Sequence, residues 1–296
     1  MNSTNYDKYL SNATFLGNFE NNSSQWHELR DQKGVISGSE IGAILGLSPF
    51  TSAVTLWAQK TGRLPSSFEP NIAMRLGQLV EPAIFTLFQE QHPEYQVYEV
   101  GTYCHKEQVW AHANPDGVVV DSANSEAFIL EIKHTATYWD SVPEHYRAQV
   151  FWYMWVTGLK RAVFAVVNAG RYKEYWVEWD QFEFDAIFTR VLDFRTRIFA
   201  DEQPDWDGSE STYETVRSIS PAIESRDEEL GQLGIELVNA QTDFDKAETH
   251  LREMKSRTIG ALNGAKNGTV EGQVVAILSQ RGNNAPFLTI KKAGKK

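Results

Sequence analysis

Residues 114–133 read NPDGVVVDSANSEAFILEIK. The Asn-Pro-Asp-Gly at the start of this stretch is typical of a turn, and the apolar runs at 117–120 and 128–133 predict two strands. The polar residues at 121–127 predict a second turn, through which the two strands can pair. The stretch therefore indicates two adjoining strands that carry charged residues close to their ends.

Three charged side chains of these strands are candidates for chemistry. Glu131 and Lys133 are two residues apart, so the period of a strand puts both on one face, and pairing of the strands brings Asp116 close to Glu131. Neighbouring carboxylates repel each other, and a divalent cation allows both to stay ionised. A lysine beside such a cation can position or deprotonate a water, or stabilise charge on a phosphate. The same residues also fit a hairpin with a charged face and no catalytic role.

Further polar residues lie in segments with helical spacing. Gln149 and Tyr153 are four residues apart in the apolar segment 143–157, so they share a helix face, and a buried glutamine needs hydrogen-bond partners. They fit either a site or a polar pair within the core. Glu81 lies in the apolar segment 71–91 and precedes Pro82, which requires a helix start or a kink. It fits either a site or an ordinary acid near a helix N-terminus.

The order of elements predicts the fold class. Helical segments come first, then strands, a buried helix, two strands and an amphipathic helix, which favours an α/β fold with a mixed sheet flanked by helices. The predicted helices are 38–46, 51–62, 71–91, 143–157 and 182–199. The predicted strands are 96–104, 117–120, 128–133, 161–168 and 172–179.

Six sequence blocks, in order over about residues 26–200, resemble the phage lambda-type exonucleases and YqaJ-like viral recombinases of the PD-(D/E)XK, restriction-endonuclease-like nuclease superfamily. The blocks are Arg30; Ser37-Gly-Ser39-Glu40-Ile; Gly77-x-x-x-Glu81; Asn114-Pro115-Asp116-Gly117; Leu130-Glu131-Ile132-Lys133; and Ala148-Gln149-Val150 followed by Met154-Trp155-Val156-Thr157.

This resemblance implies a metal-dependent nuclease that degrades duplex DNA from 5′ ends. It implies Mg²⁺ as the cofactor, with Mn²⁺ as the alternative, and it assigns roles to matching residues. Those at the metal are Asp116, Glu131 and Glu81. The carbonyls of Leu130 and Ile132 lie beside them in the sequence, and one of these, with Ile132 preferred, is expected to add an oxygen ligand. Lys133 is expected to orient or activate the attacking water, and Gln149 to hold nearby water or DNA. The residues expected at DNA phosphates are Arg30, Ser37 and Ser39, and Tyr153 is expected to support the helix.

The distribution of residues predicts the domain organisation. All nine tryptophans lie between Trp26 and Trp206, which predicts a nuclease domain over 1–206 and a polar linker over 207–222. A helical arm is expected over 223–262, and a small β-hairpin with a basic tail over 263–296. The arm carries an apolar seam at alternating spacings of three and four, which is a heptad pattern. The seam residues are Leu230, Leu233, Leu237, Ala240, Phe244, Ala247, Leu251 and Met254.

Composition narrows the class of protein. The 296 residues are 42% hydrophobic and 23% charged, which is typical of globular proteins, and no apolar run is long enough for a membrane span. The single cysteine, Cys104, excludes an internal disulfide and a cysteine-based metal site. A net charge of −11 argues against binding nucleic acid by bulk attraction. The chain is expected in the cytoplasm of the host cell of a phage or prophage.

Three functions remain open at this point. The leading hypothesis is an exonuclease that leaves 3′ single strands for phage-type homologous recombination, and the others are an endonuclease with the same site and a catalytically silent DNA-binding module. The expected partners are double-stranded DNA, a single-strand annealing protein and further copies of the chain, which the resemblance suggests form a trimer. The heptad arm fits a contact within an oligomer, a contact with the annealing protein, or packing on its own chain.

Overall fold

The computed structural model describes residues 6–19, 23–65 and 72–291, and the chain divides into two units after Pro221. Within these ranges the helices are α1 Ser24–Arg30, α2 Ile41–Ile44, α3 Ala53–Lys60, α4 Ile72–Gln91, α5 Glu144–Thr157, α6 Gln181–Ala200, α7 Glu210–Ile219 and α8 Gln232–Leu262. The strands are β1 Ala13–Gly17, β2 Ile36–Ser37, β3 Gln96–Glu99, β4 Thr102–His105, β5 Ala111–Ala113, β6 Gly117–Asp121, β7 Glu126–Thr135, β8 Arg161–Asn168, β9 Arg171–Glu178, β10 Asn267–Val270, β11 Gln273–Ser279 and β12 Phe287–Ile290.

The first unit is built on a five-stranded sheet in the order β3-β6-β7-β8-β9. β7 and β8 are parallel, and the other neighbours are antiparallel. A parallel pair needs a crossover connection, and α5 supplies it between β7 and β8. The predicted mixed α/β sheet flanked by helices is thus confirmed.

Helices cover both faces of this sheet because the side chains of β7 alternate. Leu130 and Phe128 pack against Phe85 and Phe88 of α4 on one face. Ile129 belongs to the larger cluster on the other face, which includes the apolar side of α5 and much of α6. With apolar layers on both sides, a polar residue in the middle of β7 is buried and needs partners there.

The predicted strand 96–104 is wrong as a single element. Gln96–Glu99 pairs with β6 in the central sheet, whereas Thr102–His105 belongs to a second sheet in the order β1-β4-β5-β2. The chain changes sheet at Gly101, where an added Cβ would collide with the carbonyl of Gly17. Glycine permits this close approach, which the apolar pattern of the segment does not reveal.

The predicted linker 207–222 is also wrong over most of its length, because Glu210–Ile219 forms α7. This helix is tied to α3 through Thr55, whose hydroxyl lies 2.7 Å from that of Ser211 and 2.7 Å from that of Thr215. The hydroxyls satisfy one another, so this polar segment can pack against α3 within the first unit.

The second unit contains α8 and a three-stranded antiparallel sheet, β10-β11-β12. The expected helical arm is present, although α8 begins at Gln232 and leaves Leu230 of the seam outside it. The expected β-hairpin is wrong by one strand, since the segment before β11 pairs as β10. The end of the expected basic tail, 292–296, lies outside the described residues.

No helix in the described ranges is both long enough and apolar enough to cross a bilayer.

Replacing Thr55 by valine tests how α7 is held. The substitution keeps the shape of the side chain but removes a hydrogen-bond partner from the buried hydroxyls of Ser52 and Thr215. We therefore expect the free energy of unfolding, measured in urea, to fall by about 1–3 kcal/mol. Thr86→Val is the control, because the Thr86 hydroxyl is exposed and bonds only to a carbonyl of its own helix. An equal effect of both substitutions would contradict this account of α7.

Candidate active site

Asp116 and Glu131 lie beside each other in the central sheet, where β6 begins next to the middle of β7. Gly117 pairs with Leu130, so Asp116 is next to Glu131 along the same register. Oδ2 of Asp116 accepts a hydrogen bond of 2.6 Å from the backbone N–H of Ile132. This bond fixes the Asp116 carboxylate against β7.

The Glu131 carboxylate is buried, with its side chain 2% exposed, and its two oxygens differ. Oε1 accepts hydrogen bonds from Nζ of Lys133 at 2.6 Å and from Nε2 of Gln149 at 2.8 Å. Oε2 is buried with no hydrogen-bond partner among the described residues. A buried carboxylate oxygen without a partner is costly, so this atom marks a place where a cation or a donor belongs.

The carboxyl groups of the site resist ionisation. Burial, reinforced by the charge of Asp116, raises the pKa of Glu131 to about 8, although Lys133 opposes the shift. Burial and Asp116 likewise raise the pKa of Glu81 to about 7. Burial also raises the pKa of Asp116 itself, against the effects of Lys133 and the Ile132 N–H. The three carboxyls therefore share one field, and additional positive charge would ionise them.

Lys133 carries the opposite charge. Burial acts to lower the pKa of its ammonium group, but the carboxylates of Glu131 and Asp116 outweigh burial and raise that pKa. Its Nζ also lies 5.1 Å from the centre of the Tyr146 ring, where a cation is attracted. Lys133 is therefore protonated here, which suits it to donate hydrogen bonds to a water or a phosphate oxygen.

Glu81 reaches this field from the opposite helix layer. It lies on α4, one turn before Phe85, and the Phe85 ring lies 3.2 Å from where a Cβ on Gly117 would be. Pro82 follows it inside a helix that runs through from Ile72 to Gln91, so of the helix start or kink expected at the proline the start is excluded. Glu81 is therefore an acid in the middle of α4. The charge of Asp116 raises the pKa of Glu81, and the charge of Glu81 in turn raises the pKa of Glu131.

The donor set fits a hard divalent cation. Among the described residues no group of three or more His, Cys, Asp or Glu side chains is arranged to hold a metal ion. Mg²⁺, however, is commonly held by one or two carboxylates and completes its shell with waters and substrate phosphates. Asp116 and the unpaired Oε2 of Glu131 supply such a pair, and a cation would also relieve their repulsion.

Arg30, Ser37 and Ser39 come together at a second place, a small cavity of ≈ 20 Å³. Nη2 of Arg30 donates a hydrogen bond of 2.9 Å to the Ser39 hydroxyl, and the guanidinium lies 4.2 Å from the centre of the Trp26 ring. His112 also lines the cavity. A guanidinium held beside hydroxyl groups is suited to a phosphate.

Two charged residues to which the sequence assigned no role, Glu40 and Lys60, stabilise the turn beside this cavity. Oε2 of Glu40 accepts a hydrogen bond of 2.8 Å from the Ser37 N–H, and Oε1 lies 2.9 Å from Nζ of Lys60. Burial favours the neutral acid, but Lys60 and Arg30 outweigh it and hold the pKa of Glu40 below its usual value. The three-residue spacing of Ser37 and Glu40 is that of a capping box, which was the available signal.

Tyr153 connects the two places. Nε2 of Gln149 donates to the Tyr153 hydroxyl at 3.0 Å, and the same amide nitrogen donates to Glu131. The Tyr153 ring lies against Gly38, where an added Cβ would collide with it, and also lines the Arg30 cavity. The predicted pairing of Gln149 and Tyr153 on one helix face is thus found, and it spans from the carboxylates to the cavity.

Comparison with known proteins shows what this part of the chain is similar to. The sequence model of the YqaJ-like viral recombinase domain matches residues 25–160, which include Arg30, the Asp116–Glu131 pair and Gln149. Both candidate places described above lie within the range that is similar to this domain.

Similar proteins extend over more of the chain. A Bacillus subtilis (strain 168) protein, YqaJ, described as uncharacterized, is 30% identical over 211 residues, which are 68% of this chain and 64% of that protein. The chain thus spans less than two thirds of that relative's length. An alkaline exonuclease (LHK-Exo) from Laribacter hongkongensis has a TM-score of 0.50 at 22% identity, covering 60% of this chain and 94% of that chain. A structure of LHK-Exo in complex with dAMP matches at 21% identity and the same TM-score of 0.50, over 60% of this chain and 94% of that chain. At this identity the likeness establishes a shared fold over the matched part of the chain.

Replacing Glu131 by glutamine tests the buried charge in metal-free protein. Because the folded pKa of Glu131 is raised from 4.5 to about 8, the folded state binds the proton more tightly, and its stability is lost as pH rises through that range. Glutamine does not ionise, so the stability of Glu131→Gln relative to the parent should improve between about pH 5 and pH 8. The measurement is the free energy of unfolding in urea at each pH, with chelator present.

Glu40→Gln is the matched control for this experiment. The folded pKa of Glu40 is lowered, so its ionised form stabilises the protein above about pH 4.5, and this contribution is lost only as pH falls below that value. Between pH 5 and pH 8 the stability of Glu40→Gln relative to the parent should therefore stay constant. A slope in that range equal to the slope of Glu131→Gln would contradict the assigned charge states.

Proposed function

We propose that the chain is a metal-dependent deoxyribonuclease that degrades duplex DNA from 5′ ends and leaves 3′ single strands for phage-type homologous recombination. The observation that carries this proposal is the convergence of Asp116, Glu131 and Lys133, with one oxygen of Glu131 buried and unpaired. A purely structural hairpin has no need of a buried carboxylate with a missing partner.

Mg²⁺, or Mn²⁺ as the alternative, would supply Lewis-acid chemistry at a scissile phosphate when bound. Asp116 and Oε2 of Glu131 are the residues to hold it, with the Ile132 carbonyl and Glu81 as further oxygens. Gln149 holds Oε1 of Glu131 and so fixes the plane of that carboxylate. In a preorganised site of this kind the ligands need no rearrangement before reaction.

Lys133 is assigned to the reacting groups. Its protonated ammonium is held against Glu131 at 2.6 Å and can donate a further hydrogen bond to the attacking water or to a phosphate oxygen. Attack forms a bond from the water oxygen to phosphorus and breaks the bond from phosphorus to the 3′-oxygen. The water proton passes to the departing 3′-oxygen, and the product carries a 5′-phosphate.

The cavity at Arg30 is assigned to a DNA phosphate. Arg30, Ser37 and Ser39 offer a guanidinium and hydroxyls, and the Gln149–Tyr153 link gives this cavity a set position relative to the carboxylates. Local cations of this kind let a chain with a net charge of −11 bind DNA at one place. Binding would then depend on the cavity and the metal rather than on the overall charge.

The proposal also includes an oligomeric state, a partner protein and a cellular location. The likeness to lambda-type exonucleases supports a homo-oligomer, with a trimer as the form that the resemblance implies, and a single-strand annealing protein as the recipient of the product. It also supports the cytoplasm of a phage or prophage host as the location. Each of these depends on the nuclease assignment.

Lys133→Ala tests the assignment directly. Loss of the ammonium group should lower the cleavage rate of end-labelled linear duplex in Mg²⁺ by about 10²-fold or more, because it removes a donor acting on the developing charge. DNA binding should change only a few-fold. Chelator should abolish cleavage by the parent, and Lys160→Ala, at an exposed lysine before β8, is the control. Full activity in Lys133→Ala, or cleavage that ignores chelator, would overturn the proposal.

The form of the DNA separates the two nuclease hypotheses. An exonuclease leaves closed circular duplex intact and digests it after linearisation, whereas an endonuclease cuts the circle. The parent protein in Mg²⁺ should degrade only the linear form.

Arg30→Ala tests the phosphate cavity. Because a charge-assisted hydrogen bond contributes about 1.5–3 kcal/mol, we expect the KM for a 5′-phosphorylated duplex end to rise by about 10-fold or more. The KM for a 5′-hydroxyl end should change little. Arg190→Ala, at an exposed arginine of α6, is the matched control. Equal effects of Arg30→Ala on both ends would contradict the assignment, provided that thermal unfolding confirms the fold of the variant.

A further inference from the structure

Helix α8 presents an apolar seam that the described part of the chain leaves exposed. Leu237 is 63% exposed, Phe244 65% and Leu251 45%, and they recur every seven residues on the helix. Ala240 and Ala247 lie between them on the same seam and are exposed too. The seam therefore alternates large and small side chains along one line.

A helix of 31 residues with such a seam is expected to pack against a partner helix. Most of the stability of a helix in a protein comes from packing its apolar face, and a seven-residue apolar repeat is the pattern that a second helix covers in a coiled coil. Within its unit α8 contacts β10 near its own C-terminal end. The seam residues from Leu233 to Leu251 are exposed, so that contact does not cover them.

The alternation of sizes selects the direction of the partner. In a parallel pair of identical helices each seam residue meets its own copy, so Phe244 would meet the partner's Phe244 and Ala240 would meet the partner's Ala240. Such layers are alternately overfilled and empty, and both conditions cost stability. In an antiparallel pair the large Phe244 and Leu251 can meet the small Ala247 and Ala240, which fills the central layers evenly.

We propose that α8 pairs antiparallel with α8 of a second copy of this chain. In the favoured register Phe244 packs against the partner's Ala247, and Leu251 against the partner's Ala240. Leu237 meets the partner's Met254, and Leu233 meets the partner's Thr258. All of these residues lie inside Gln232–Leu262, so the seam is used over its full helical length.

Charge distinguishes this register from the next one. An antiparallel pair brings together the residues that flank the seam on the same side of each helix. Here Glu236 meets the partner's Arg257, and Asp243 meets the partner's His250. Sliding by one heptad keeps the sizes matched, with Phe244 against the partner's Ala240, but places Asp243 beside the partner's Asp243. Like charges at that position are unfavourable, and the first register avoids them.

The two-fold contact can be tested on the full chain by its mass in solution. Phe244→Gln removes the largest seam side chain from both copies, so we expect the dissociation constant of the pair to rise by about 100-fold or more in sedimentation equilibrium. Val238→Gln is the matched control, because Val238 is also 65% exposed on α8 but lies off the seam. A monomeric parent at micromolar concentration, or equal effects of the two substitutions, would overturn the proposal.

Direction and register are tested by engineered cysteines. The double variant Leu237→Cys with Met254→Cys should form a covalent dimer on mild oxidation, since the two positions face each other across the pair. Leu237→Cys alone should not, because the two copies of residue 237 lie about 25 Å apart along the antiparallel axis. The native thiol of Cys104 is buried and does not compete.

Leu237→Cys with Ala247→Cys serves as the register control. In the proposed register these positions are offset by about 10 Å, beyond the reach of a disulfide, whereas the register shifted by one heptad places them face to face. A covalent dimer from Leu237→Cys alone would demonstrate a parallel pair and overturn the proposal. A covalent dimer only from the 237/247 variant would overturn the register. None of these measurements uses DNA cleavage, so they succeed or fail independently of the nuclease assignment.

Discussion

The buried carboxylate of Glu131 is the constraint around which the first unit is organised. It lies in the middle of a strand covered by apolar layers on both faces, where an ionised group is stable only with close partners. Lys133 and Gln149 satisfy one oxygen, and the other is left without a protein partner. The sheet thus buries the Glu131 carboxylate away from water and leaves its Oε2 without a hydrogen-bond partner among the described residues.

Helix α5, which covers Glu131, also connects this residue to the Arg30 cavity. Gln149 bonds to Glu131 and to Tyr153 through one amide nitrogen, and the Tyr153 ring lies on Gly38 at the turn that carries Ser37 and Ser39. The carboxylates and the Arg30 cavity are therefore connected through rigid elements rather than through mobile loops. Under the proposed function, a phosphate bound in this cavity would be oriented relative to the carboxylates.

The second unit differs from the first in how its apolar residues are placed. The first unit has a large buried apolar core, whereas α8 keeps its large seam side chains exposed and follows a seven-residue repeat. The order of large and small residues on that seam is informative because packing penalises both voids and overlaps. Self-pairing through α8 would be isologous, so it would join copies in twos, whatever contacts the first unit makes.

The sequence by itself determined the features that depend on a few neighbouring residues. The alternation around Glu131 and Lys133, the four-residue spacing of Gln149 and Tyr153, and the heptads of α8 are local periodicities, and each appears in the structure. Tertiary structure alone decided the division of 96–104 between two sheets and the docking of Glu210–Ile219 as a helix. It also decided which oxygen of Glu131 stays unpaired. These outcomes rest on contacts between residues far apart in the chain, such as Thr55 with Thr215, and no local period encodes such contacts.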